Sequence, residues 1–249
     1  MVVGLVGSGN MARALARGWG EPILCTDSGS GRAAQLAAEM GGDALSSNVE
    51  LAERSDLVVL CHKPAQLQGV AGEIGDRATA IASVLGATPI EALQQAYPGT
   101  PVFRLMPNTP VEVRAGVVCY APADGVDADL EARVLEQFRR LGAVIEVTEA
   151  RMDVATGVSG VGPAYASLIV EAQVDAAVKQ GLPAGQAAEL AVRTLAGTAA
   201  LLSARDFDTL AVRREVTSPG GSTARGLAAL ERGGLRASFA AALDAVLQR

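Results

Sequence analysis

Over residues 1–148, short apolar runs alternate with stretches in which apolar side chains recur every three or four positions. The runs at 2–6, 22–26, 57–61, 79–84, 102–106, 116–120 and 144–147 predict strands, and the spacing through 32–40, 90–96 and 130–141 predicts helices. Such alternation points to a mostly parallel sheet covered by helices on both faces. From about Met152 the strand pattern stops, and Ala/Leu-rich helical spacing runs through 165–179, 185–203, 223–231 and 235–248. The chain therefore divides into an α/β domain, 1–148, and an all-helical domain, 149–249. The second set of helices is apolar over wide arcs, which fits burial against another subunit better than exposure.

The first apolar run leads directly into Gly7-Ser8-Gly9-Asn10-Met11-Ala12 and then into helical spacing. In this strand–turn–helix context the residues match a dinucleotide fingerprint. Gly7 permits the turn, Gly9 admits a pyrophosphate close to the backbone, and Ala12 lets helix pack on strand. The first domain is thus expected to be a Rossmann-type dinucleotide-binding domain. The next run ends at Asp27, about where the ribose-binding acid of such domains stands. Asp27 favours NADH, whereas Ser28, Ser30 and Arg32 offer a seat for the 2′-phosphate of NADPH. The balance leans to NADPH, with NADH possible. Two loops after strands should border the nicotinamide end. One holds Cys61-His62-Lys63-Pro64, and the other, Arg104-Leu105-Met106-Pro107-Asn108-Thr109-Pro110, is stiffened by its prolines and offers the Asn108 amide as donor and acceptor. Lys63 alone is more often a solvated loop charge, and the Asn108 loop reads equally as a proline-rich crossover between domains.

Near the other end, Val216-Thr217-Ser218-Pro219-Gly220-Gly221-Ser222-Thr223 sets a permissive diglycine and several hydroxyls before a helical pattern. With Thr223 as helix cap, the first free N–H groups would point outward and form a cradle for a carboxylate or phosphate. An ordinary Pro-Gly-Gly turn before a capped helix fits the same letters.

Composition narrows the function. Net charge is −6, and the 21 basic residues, only two of them lysine, form no block, which argues against nucleic acid as partner. No apolar run approaches the roughly 20 residues that span a bilayer, and the first strand begins at Val2, so no membrane association and a cytoplasmic location are expected. Cys25, Cys61 and Cys119 fall in strand patterns without ligand spacing, so no metal is expected. His62 is the only histidine and no Gly-x-Ser-x-Gly elbow accompanies it, which disfavours a hydrolase.

Taken together, the fingerprint, Lys63-Pro64, the segments 104–110, 152–160 and 162–165, and Val216 to Thr223 resemble the pyrroline-5-carboxylate reductase family over nearly the whole chain. The resemblance implies hydride transfer from a reduced nicotinamide to the C=N bond of a cyclic imine, giving proline. It implies that Ser218, Gly220, Gly221, Ser222 and Thr223 surround the small-molecule substrate's carboxylate, with Thr223 able to reach the ring nitrogen. It implies a homodimer, often a ring of dimers, in which the helical domain is the dimerisation domain. Two positions depart from the family pattern: Val161 stands where a serine is usual, and Cys61-His62 replaces a small apolar pair. A β-hydroxyacid dehydrogenase of the same architecture would carry a catalytic lysine where this chain has Ala166. A shifted imine reductase and a dinucleotide sensor without turnover are the remaining alternatives.

Overall fold

The computed structural model describes residues 1–248. Unit 1 runs from Met1 to Pro163 and unit 2 from Ala164 onward. In unit 1, strands β1 (Val3–Val6), β2 (Leu24–Thr26), β3 (Asp43–Ala44), β4 (Leu57–Leu60), β5 (Ile81–Ser83), β6 (Val102–Pro107), β7 (Gly116–Ala121) and β8 (Gly142–Glu146) form one sheet. Between and after them come helices α1 (Asn10–Trp19), α2 (Arg32–Met40), α3 (Asn48–Arg54), α4 (Leu67–Ile74), α5 (Ile90–Ala96), α6 (Ala128–Arg139) and α7 (Met152–Ser159). Strand order is β3-β2-β1-β4-β5-β6-β7-β8. The first six strands are parallel, β7 is antiparallel to β6, and β8 follows β7 in parallel. The order reverses between β1 and β4, and beyond the carboxyl ends of such neighbours a crevice opens.

Strands β1, β2 and β4 to β7 are buried on both faces, so they read as unbroken apolar runs, and their period of two divides the core. Leu5, Leu57 and Val59 join Leu15, Trp19, Leu36 and Phe138 on one face. Val6, Val58 and Leu60 join Leu51, Ile74 and Tyr97 on the other. Gly4 has no room for a side chain, since a Cβ there would land on Ser55 Oγ and Leu51.

Four helices and a strand escape the periodicity. β3 has two residues, both exposed, and α3, α4, α7 and α10 (Thr209–Glu215) are seven or eight residues long. For α3 and α10 the missed signal is a cap: Ser47 accepts from the Glu50 N–H at 3.1 Å, and Asp208 accepts from Leu210 and Ala211, both at 2.9 Å.

The compact unit ends 15 residues beyond the boundary of 148 read from the sequence. The physical reason is that 149–159 packs on the sheet. Met152 is fully buried with Met106, Cys119 and Ala121, and Glu149 pairs with Arg104 on β6. Change of pattern from strand to helix is therefore not the point where contacts change hands.

Unit 2 comprises most of α8 (Gly162–Lys179), then α9 (Ala184–Ser203), α10 (Thr209–Glu215), α11 (Ser222–Arg232) and α12 (Leu235–Leu247). Within it Tyr165 and Phe239 meet edge to face, yet Leu168, Leu190, Val192 and Leu230 are each more than half exposed. A single copy of these helices buries little of its own apolar surface.

Candidate active site

At the carboxyl ends of β1, β2, β4 and β5 lies a cleft of about 950 Å³, lined by Gly7, Ser8, Gly9, Asn10, Met11, Asp27, Ser28, Lys63 and Pro64 among others. Gly7 has φ +98°, and a Cβ there would meet the Cys61 carbonyl and the His62 nitrogen at 2.9 Å. Only glycine takes that conformation in that space. Gly9 is the N-cap of α1 and has nothing within 4 Å of where a Cβ would be. With the Gly9 carbonyl accepting from Arg13, the N–H groups of Asn10, Met11 and Ala12 are left at the helix start, where a pyrophosphate fits. Ala12 itself is fully buried under the sheet, in the packing role expected of it. Ser8 is buried and donates to the Thr26 carbonyl at 3.0 Å, so its hydroxyl holds β1 to β2.

Asp27 reaches the cleft in an unexpected state. Its Oδ1 accepts from the Gly29 N–H at 2.7 Å and the Ser30 N–H at 3.1 Å. Its Oδ2 accepts from Ser30 Oγ at 3.0 Å and the Ala33 N–H at 2.8 Å. The Ala33 N–H, and after it the other donors, hold the carboxyl below its ordinary value of 3.8. Around it Ser28, Ser30 and Arg32 are exposed and line the same cleft.

On the β4 side, burial pushes the Cys61 thiol up to about 12 and holds His62 below its ordinary 6.5, partly opposed by the Lys63 carbonyl. His62 Nδ1 donates to Lys63 O at 2.9 Å, and Nε2 is buried with no hydrogen-bond partner among the described residues. Lys63 and Pro64 are exposed at the cleft, and the Lys63 N–H donates to Gln66 Oε1 at 3.1 Å.

Met106 and Asn108 lie outside this lining. Both are buried, and both groups of the Asn108 amide are engaged: Nδ2 donates to the Ser159 carbonyl at 3.1 Å, and Oδ1 accepts from the Val117 N–H at 2.8 Å. Asn108 thus ties β6, β7 and the end of α7, using one amide N–H and one oxygen lone pair of the two that each group has. Conversely, Asn48, Gln66 and Glu73 line the cleft without a sequence signal. Asn48 and Glu73 belong to a relay in which Thr26 Oγ1 donates to Asn48 Oδ1 at 2.6 Å and Asn48 Nδ2 to Glu73 Oε2 at 2.7 Å.

In unit 2 the structure corrects the cap at the predicted anion cradle. Gly221, with no side chain, is the N-cap of α11, so Ser222 and Thr223 are its first two helical residues. Gly220 has φ +70°, and the Gly221 N–H donates to Ser218 O at 3.1 Å, closing a turn. The Gly220 carbonyl is drawn aside by Arg225 Nη1 at 2.8 Å. Ser218, Ser222 and Thr223 are exposed, and the Gly221 carbonyl takes the Arg225 N–H at 3.2 Å. The N–H groups of Ser222, Thr223 and Ala224 therefore open the helix uncapped, as a carboxylate site requires.

A doubly wound sheet, a glycine turn under a helix start and a cleft at the strand reversal define an NAD(P)-dependent oxidoreductase of Rossmann type. Residues 149–249 match the family model for pyrroline-5-carboxylate reductase dimerisation, and residues 2–87 that for NADP oxidoreductase, coenzyme F420-dependent. The chain is 34% identical to mouse pyrroline-5-carboxylate reductase 3 over 261 residues, covering 99% of this chain and 94% of that one. It is 37% identical to the pyrroline-5-carboxylate reductase of Synechocystis over 204 residues, covering 81% and 76%. Among solved structures, Plasmodium falciparum pyrroline carboxylate reductase with NADP bound superposes with a TM-score of 0.87 at 28% identity, covering 99% and 95% of the chains. The Coxiella burnetii pyrroline-5-carboxylate reductase gives 0.87 at 30%, covering 98% and 95%. A 3-hydroxyisobutyrate dehydrogenase from Mycobacterium tuberculosis, at 16% identity and 0.53, shares only the fold. This chain belongs to the pyrroline-5-carboxylate reductase family. It is an oxidoreductase that reduces the C=N bond of 1-pyrroline-5-carboxylate to give proline at the expense of NAD(P)H.

Proposed function

We propose that the chain performs this reduction with NADPH in preference to NADH, binding the substrate carboxylate at the start of α11. The observation that carries the substrate site is the N-cap Gly221, which leaves the first N–H groups of α11 with no capping side chain. Three aligned donors and the positive end of the helix suit a carboxylate. Thr223 is exposed and lies one residue inside the same turn, which supports its hydroxyl as the group that meets the ring nitrogen.

The dinucleotide fits unit 1 by the space above Gly9, the free N–H groups of α1 and the width of the cleft. When bound, the reduced nicotinamide supplies a hydride to the imine carbon. What remains for the protein is to hold the reactants together, worth roughly 7–11 kcal/mol in favourable cases, and to keep a proton on the ring nitrogen. The Thr223 hydroxyl, or a water it holds, relays that proton from solvent, taking one up as it passes one on, and the amine of proline leaves with it. Preference for NADPH follows from Ser28, Ser30 and Arg32 around the start of α2, where a 2′-phosphate gains charge-assisted hydrogen bonds.

Exposed apolar residues on α8, α9 and α11 support assembly as a homodimer or a ring of dimers, and the enzyme acts in the cytoplasm. The test is oxidation of NADPH and of NADH by purified protein with pyrroline-5-carboxylate, beside the Thr223→Ala variant. Turnover lost in a folded variant supports the site, and the ratio of the two rates decides the cofactor. Full activity in the variant would reject Thr223.

A further inference from the structure

The position of Asp27, at the end of β2 and 18 residues beyond Gly9, is where an acid ordinarily grips the ribose 2′-hydroxyl and repels a 2′-phosphate. Its surroundings give it another task. Two carboxylate oxygens hold four donors between them, from the loop that follows and the first turn of α2: the N–H groups of Gly29, Ser30 and Ala33 and the Ser30 hydroxyl. A carboxylate has about four acceptor sites, so little is left for a ribose. The loop needs this anchor, because Gly29 at φ +88° and Gly31 at φ +75° bend it through conformations with no side chain to hold them. Gly31 is the N-cap of α2 and supplies no capping group either, so the Ala33 N–H would be an orphan without Asp27.

We propose that Asp27 is a positioning residue for cofactor choice, stapling the 28–32 loop into the shape that seats a 2′-phosphate. This rests on the reading above that the loop takes that phosphate. The sign of its effect is opposite to that of a ribose-binding acid. Four hydrogen-bond donors delocalise the carboxylate charge into the loop, while Ser28 and Arg32 remain exposed toward the cleft. Removing the acid therefore disorganises the phosphate seat, where removing a ribose-binding acid would relieve repulsion.

Two measurements on Asp27→Ala test this, with Asp27→Asn as the gentler variant that keeps one acceptor. The first is amide hydrogen exchange without any dinucleotide. The staple predicts faster exchange at Ser30 and Ala33 in Asp27→Ala, with the Gly7 N–H unchanged as an internal check on the fold. The second is KM for NADPH and for NADH. The staple predicts that KM for NADPH rises by roughly tenfold, the size of one lost charge-assisted hydrogen bond, while KM for NADH moves far less. Asp27→Asn should fall between. A lower KM for NADPH, or an equal rise for both cofactors, overturns the proposal. Unchanged exchange at Ser30 and Ala33 also overturns the staple and says nothing against NADPH, whereas a wild-type enzyme that favours NADH overturns only the cofactor preference.

Discussion

Asn108 and Ser159 are joined across 51 residues of sequence: the Asn108 amide nitrogen donates to the Ser159 carbonyl at 3.1 Å, while its oxygen receives the Val117 N–H at 2.8 Å. Asn108→Ala leaves two backbone groups in a buried setting without partners. We expect a loss of about 1–3 kcal/mol in unfolding free energy, measured by denaturant titration. KM for either dinucleotide should stay near the wild-type value. If KM moves while stability holds, the amide touches the nicotinamide after all.

Arg104, only 4% exposed, depends on Glu149 for its nearest counter-charge, with Asp153 at 3.8 Å. Glu149 also accepts the Ile90 N–H at 3.1 Å, so one carboxylate serves β6 and the start of α5. Glu149→Ala should destabilise by about 3 kcal/mol, the lower end for a broken buried pair because Glu149 is itself partly exposed. Adding Arg104→Leu should recover part of that loss. A double variant as unstable as the sum of the singles would show that the pair is not the source.

Thr223 separates chemistry from capping. Since Gly221 is the cap, Thr223→Ala should spare the cost of about 0.5–2 kcal/mol that loss of an N-cap brings, leaving the melting temperature unchanged. As a proton donor its removal should lower kcat by about 10²-fold, the small end for proton transfer. Steady-state kinetics beside a thermal melt read both at once.

Arg32 is exposed at the edge of the cleft and has no salt bridge among the described residues. Its replacement by alanine should raise KM for NADPH by roughly tenfold and leave KM for NADH nearly alone. High salt should narrow the gap between wild type and variant, as it does for any exposed charge. Equal effects on the two cofactors would place Arg32 away from the phosphate.

His62 gives the fold a pH dependence of definite sign. Burial lowers its folded value below 6.5, so the unfolded chain takes up the proton first. Stability is complete above 6.5 and declines as pH falls from there toward the folded value. Asp27, held below 3.8, acts in a separate and more acidic window. Denaturation midpoints measured over roughly pH 8 to 5 should slope downward in the wild type and flatten in His62→Gln. An unaltered slope in that variant would assign the effect elsewhere.

Most of the sheet is legible because β1, β4 and β6 are buried on both faces and so are written in unbroken apolar letters. The glycine turn is legible for a different reason: Gly7 and Gly9 act through what they lack, and a missing side chain shows in the sequence. Asp27 and Asn108 stand at expected addresses, yet the Asp27 carboxylate holds four donors of its own loop and helix start and the Asn108 amide ties two distant segments, and neither tie shows in the sequence. The partners of Asn108 stand 9 and 51 residues away, and no local pattern announces them. With Thr223 the error is one of register. Ser222, Thr223 and Gly221 all make acceptable caps, and the turn closed by Ser218 O decides in favour of the glycine. The reversal of β7 is equally silent, since an antiparallel strand in a covered sheet carries the same apolar run as a parallel one.

The space that a side chain at Gly7 would need is filled by main-chain atoms of Cys61 and His62. Backbone is common to every residue, so the shape of the Gly7 turn is insulated from mutation at these two positions. Side chains there can drift, from small and apolar to thiol and imidazole, and so retune the chemistry of the cleft wall while the turn is inherited intact. The loop after β4 is a place where a lineage can experiment at little risk.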